Sequence, residues 1–122
     1  MALIDSLARK KKLSAEEVEL VIKIDNQRDY MLMNYFEQEV IRQHGQNFLM
    51  ASVDKVQYIT GHILSSNMAG LYKMYSETFD IYMQSCNNNI ECVNGFNIVF
   101  FVLIHIAMKI IRKNKSEGEA LL

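Results

Sequence analysis

Residues 96–111 read Phe96-Asn97-Ile98-Val99-Phe100-Phe101-Val102-Leu103-Ile104-His105-Ile106-Ala107-Met108-Lys109-Ile110-Ile111. How this stretch is buried decides the fold. Its longest unbroken apolar run is the seven residues Ile98 to Ile104, which His105 ends. A membrane span needs about 20 mostly apolar residues, and a charge near its centre costs about 2.5–3.5 kcal/mol. Extending the stretch outward meets Asn94 on one side, then Lys109, Arg112 and Lys113 on the other. We read it as a core helix from about Phe96 to Lys113, very apolar and the most buried of the chain. Anchorage in a membrane through residues 96–111 is the alternative. Lys109 can snorkel, and Arg112, Lys113 and Lys115 suit a cytoplasmic flank.

The rest of the composition agrees with a soluble core. Of 122 residues, 50% are hydrophobic and 22% charged, which excludes a disordered chain. A chain of 14.2 kDa exposes about 6,800 Å² when folded and about 20,600 Å² when extended, enough burial for one domain without metal or disulfide staples. We expect that domain over residues 1–115 and a flexible C-terminal tail over 116–122. There is no proline and there are five glycines, too little turn chemistry for a β-rich fold. The expectation is therefore all-α, a single-domain bundle of four to five helices.

Local signals place those helices. Leu3, Ile4, Leu7 and Ala8 make one face of a short amphipathic helix. Ser14 with Glu17 three residues later is a capping box, flanked by Leu13 and Val18 at the positions of a hydrophobic staple. The polar run Asp25-Asn26-Gln27-Arg28-Asp29 holds no glycine or proline, so one long helix is expected from Ser14 to about His44. Its second half offers Leu32, Tyr35, Phe36, Val40 and Ile41, and Gly45 follows as a left-handed stop. A further helix starts near Ser52, weakens at Ser65-Ser66-Asn67 and Gly70, and resumes through Met68, Leu71, Tyr75 and Phe79 until the asparagines after Cys86. Asn94-Gly95 is read as the turn before the last helix.

Candidate chemistry is sparse. His44, His62 and His105 show no ligand spacing, and Cys86 and Cys92 stand six apart with no histidine near in sequence, so no metal or cofactor is expected. No phosphate loop or nucleophile elbow is present in the sequence, and we expect no enzyme. The N-terminal apolar residues precede their basic run, the reverse of an export signal, which points to the cytoplasm and to free thiols. His105 reads as a buried histidine with a hydrogen-bond partner.

What remains is interaction surface. Tyr30 to Phe36, and Leu71 through Met83, are apolar over faces too wide for one small bundle to cover. The functional expectation is a small non-catalytic helical protein, an adaptor, chaperone or regulator, acting on a protein partner and forming a homodimer. The contact residues expected are Met31, Tyr35, Tyr72, Tyr75, Phe79 and Tyr82. A DNA-binding regulator is the rival class. It would use Arg9, Lys10, Lys11 and Lys12 on nucleic acid or another anionic surface, although 13 basic residues against 14 acidic ones supply no general field.

Overall fold

Hydrogen bonds close to the chain set where the first helices begin. The computed structural model describes residues 3–27, 30–45 and 47–121, with side chains described at all of these except 26, 27, 30, 49 and 117–121. Helix α1 (Leu3–Arg9) turns Ile4, Leu7 and Ala8 inward. Helix α2 (Ala15–Gln27) opens on the expected capping box. The Glu17 amide donates to Ser14 Oγ at 3.2 Å, and the Ser14 amide donates to Glu17 Oε1 at 2.9 Å. Leu13 and Val18, on either side of that box, are both buried.

The single helix expected from Ser14 to His44 is two. Helix α3 (Tyr30–His44) is separate from α2 and packs against it; residues 28 and 29 lie outside the described residues. One ring shows why a continuous helix fails. Asp25 and Asn34 contact opposite nitrogens of His105, whereas nine residues of α-helix would hold their Cα atoms about 13.5 Å apart. Two short side chains cannot close that gap onto one imidazole. At the other end of α3, Gly45 takes φ 82° and its amide donates to the Ile41 carbonyl at 2.7 Å, the stop that the sequence suggested.

Three helices and one short turn complete the chain. They are α4 (Asn47–Ala51), α5 (Val53–Leu64), α6 (Met68–Ser85) and α7 (Ile90–Leu121). Counting the described residues, that makes six helices and the five-residue α4, against the four to five expected. Ser52 does not cap α5; its hydroxyl donates to the Phe48 carbonyl at 2.8 Å. Asn67 caps α6 by accepting from the Gly70 amide at 3.0 Å. A side chain on Gly70 would collide with His62, its Cβ lying 2.6 Å from the His62 ring, so glycine permits the close approach of α5 to α6. Asn94-Gly95 is not a turn. It lies inside α7, which begins six residues earlier than expected, and the turn sits instead at Asn87 and Asn88, both with positive φ. Beyond Ser116, where a flexible tail was expected, helical backbone continues to Leu121.

Helix α7 is the axis of the fold. It packs against α1, α2, α3, α5 and α6, and Phe100 to His105 are buried on every side. By length and hydropathy, residues Ile90–Ser116 could cross a membrane, yet half of the most apolar window is already covered by the other helices. Two polar side chains inside α7 are bonded within the fold. Asn97 Nδ2 donates to the carbonyls of Ala8, Lys10 and Lys11 at 3.2–3.4 Å, and its Oδ1 accepts from the Tyr75 hydroxyl at 2.9 Å. That hydroxyl in turn accepts from the Leu13 amide at 2.9 Å. Burial pushes the Tyr75 phenol well above its ordinary range, so it stays neutral and keeps its proton for Asn97.

Two measurements check this account. Tyr75→Phe takes the partner from the buried Leu13 amide and from Asn97 Oδ1, and is expected to cost about 1–3 kcal/mol in urea unfolding. Ser14→Ala is expected to cost about 1 kcal/mol. The hydrogen bonds from Lys10 and from Ser14 hold the Glu17 carboxyl below its ordinary value of 4.5. Its stabilisation is therefore complete above pH 4.5 and fades as pH falls through the lower folded value. Glu17→Gln is expected to flatten that acid limb of the stability curve.

Candidate functional site

Two places bring polar chemistry together: a buried cluster on α7 and an open cleft beside it. The cluster is built by one polar stripe. His105, Lys109 and Arg112 fall at helical spacing on α7 and share a face. Asp25 comes from the end of α2, and Asn34 and Glu37 come from one face of α3. Asp25 Oδ1 accepts from His105 Nδ1, and Asp25 Oδ2 accepts from Arg112 at 3.3 Å. The Asn34 carboxamide lies 2.9 Å from His105 Nε2, and a carboxamide can satisfy that nitrogen in either charge state. Lys109 Nζ donates to both Glu37 oxygens, at 2.8 and 3.0 Å.

Charges in the cluster are matched. Asp25, Glu37 and His105 are buried, while Lys109 and Arg112 reach them from about one-third exposed positions. Removing a cation here leaves a buried carboxylate poorly compensated, which is why such a pair resists disruption even when its net contribution is small. Both imidazole nitrogens are committed, to Asp25 and Asn34, and the ring is enclosed. The arrangement holds charge in place and fixes how α2 and α3 meet α7.

The cleft is of a different kind. It has a volume of about 610 Å³ and lies between α3 and the α6–α7 pair. Phe36, Val40, Phe48, Phe96 and Val99 supply apolar walls, and Lys55, Glu39 and His44 supply charge and hydrogen bonding at its margin. Tyr35 and Tyr82 both line it, with 59% and 41% of their surfaces exposed. The His44 ring lies 5.4 Å from that of Phe48, and both line the cleft.

The residues singled out in the sequence separate accordingly. Tyr35 and Tyr82 meet at the cleft. Met31 is 83% exposed on α3, one turn from Tyr35. Tyr72 is half-buried, its ring 6.1 Å from Tyr75. Tyr75 and Phe79 need correction as contact residues, because both are buried in the core against Phe96. Their place on the inner stripe of α6 puts them out of a partner's reach. The basic run is largely occupied. Arg9 pairs with Asp5 at 3.4 Å, Lys10 with Glu17, and Lys12 with Asp80 at 2.9 Å; among the described residues Lys11 alone of the four makes no ion pair. The polar stripe His105, Lys109 and Arg112 was visible in the sequence as spacing, but its partners on α2 and α3 were not.

Compared with known proteins, the chain matches no protein-family model, no curated protein and no solved structure.

Asp25→Ala strips the carboxylate from His105 and Arg112 together and is expected to cost about 3–5 kcal/mol in chemical denaturation. Lys109→Met leaves the buried Glu37 carboxylate without its cation and is expected to cost about 1–3 kcal/mol, less than Asp25→Ala because the lysine end of the pair is about one-third exposed. Equal losses in the two variants would contradict the burial argument.

Proposed function

We propose that this is a small non-catalytic helical protein that acts by binding other protein, as an adaptor, chaperone or regulator in the cytoplasm, and that it forms a homodimer. The cleft flanked by Tyr35 and Tyr82 is its docking surface. The observation that carries the reading is this pairing of two half-exposed tyrosines over a floor of Phe36, Phe48 and Phe96. Aromatic anchors at the rim of an apolar groove suit an amphipathic helix laid into it. Surface area supports the same reading. The chain exposes 7697 Å², about 900 Å² more than a compact monomer of its mass. Part of that excess is the end of α7, exposed from Lys113 to Ser116. One side of a standard interface covers about 800 Å².

A second reading has its own observation. The hydropathy and length of Ile90–Ser116 fit a membrane anchor. The bonds of Asn97 and His105 to α1, α2 and α3 favour the first reading, since insertion would break them. DNA binding through the Arg9–Lys12 run is the weakest, because three of the four side chains are paired with acids of the same chain.

Light scattering on the full chain without detergent tests the proposal. The expected result is a dimer, converted to monomer by Tyr35→Glu with Tyr82→Glu while circular dichroism keeps its helical signal. Loss of each anchor corresponds to about 2 kcal/mol, roughly 30-fold in dissociation constant. A monomer at every concentration overturns the homodimer, and a chain that needs detergent supports the membrane reading instead.

A further inference from the structure

Helices α6 and α7 run antiparallel, and their register can be read from their rings. Tyr82 faces Phe96 with centroids 5.6 Å apart, and Tyr75 faces Phe100 at 5.0 Å. One helical turn from Tyr82 and one from Phe96, each taken towards the connection, reach Cys86 and Cys92. The connection is tight. Cys86 ends α6, Asn87 and Asn88 take φ of 52° and 59°, and two successive turn bonds carry the chain into α7. They run from the Asn89 amide to the Cys86 carbonyl at 3.2 Å and from the Cys92 amide to the Asn89 carbonyl at 3.0 Å. Both cysteines are free and half-buried, and the Cys86 side chain is the first cause that holds the Cys92 thiol above its usual range.

We propose that Cys86 and Cys92 are a reversible redox pair, oxidised by a low-molecular-weight disulfide of the glutathione class to a bond that ties the end of α6 to the first turn of α7. The Cys86 thiolate attacks one sulfur of the small disulfide; its S–S bond breaks, and one thiolate leaves and takes up a proton. The Cys92 sulfur then gives its proton to solvent, attacks the Cys86 sulfur of the mixed disulfide and expels the second small thiol. Two protein thiols become one disulfide, and the small disulfide is reduced by two electrons to two thiols. The Cys86 side chain, burial and the neighbouring charges hold the Cys92 thiol above the usual range, which supports Cys86 as the first to attack. In a reducing compartment a pair of this kind is transient rather than structural. Tyr82 lies one turn from Cys86 and lines the cleft, so oxidation fixes one of its walls. The redox pair itself does not depend on what the cleft binds.

The test uses the full chain in buffers of stepped reduced-to-oxidised glutathione ratio, with remaining thiols alkylated and counted by intact-mass spectrometry. Both thiols are expected to disappear together, with an equilibrium constant about tenfold higher in the folded chain than in urea. Cys92→Ser and Cys86→Ser are each expected to stop at one glutathione adduct and to form no disulfide within the chain. Circular dichroism checks that both variants remain helical. A constant no higher in the folded chain than in urea overturns the proposal, as do disulfides formed only between chains.

Discussion

Helix α7 must be enclosed, and the rest of the molecule is arranged around that need. Phe100 to His105 are buried on every side, so no single neighbour can cover them. Five helices pack on α7, each through an apolar stripe of its own, such as Met33, Phe36 and Val40 on α3 or Leu71, Tyr75 and Phe79 on α6. Aromatic rings fill the interval between α6 and α7, where Tyr75, Phe79, Phe96 and Phe100 contact one another at centroid distances of 5.0–6.3 Å.

Apolar enclosure alone does not choose a register, because one greasy face slides over another with little change in buried area. Two polar ties, at Asn97 and at His105, supply the choice. Asn97 reaches the carbonyls at the end of α1, and through Tyr75 it also reaches the amide of Leu13. His105 and Arg112 share Asp25, while Lys109 takes Glu37. The ties stand eight residues apart on one helix, about 12 Å along its axis. A shift of α7 by one residue would leave buried donors and acceptors unmatched at both. Such groups add more to uniqueness than to net stability, since burying charge offsets much of what pairing it contributes.

The same packing decides which parts of the surface are available. The basic run is anchored from beneath by Asn97 and tied off at the side chains by Asp5, Glu17 and Asp80. Tyr35 is turned away from the core face of α3, which Met33, Phe36, Glu37 and Val40 occupy, and it therefore stands over the cleft. Cys86 and Cys92 meet because the chain reverses within a few residues at Asn87 and Asn88. Each of these positions is a consequence of how α7 is seated.

Much was legible from local sequence. The capping box at Ser14 and Glu17, the inner face of α1, the stop at Gly45 and the buried character of residues 98–108 each depend on neighbours within a turn or two, so short-range pattern carries them. All-helical architecture followed from the same patterns and from the scarcity of turn residues. Other features were settled only in three dimensions. Whether α2 and α3 are one helix or two turned on Asp25 and Asn34 meeting a ring 71–80 residues away. Asn94-Gly95 has the form of a turn but was absorbed into α7, because packing on both flanks outweighs the helix cost of one glycine, about 1 kcal/mol. Tyr75 and Tyr82 look alike in the sequence, two aromatics on one helix, and one became a buried hydrogen-bond relay while the other faces the cleft. Periodicity states which residues share a face. Only the neighbours that arrive on that face decide what it meets.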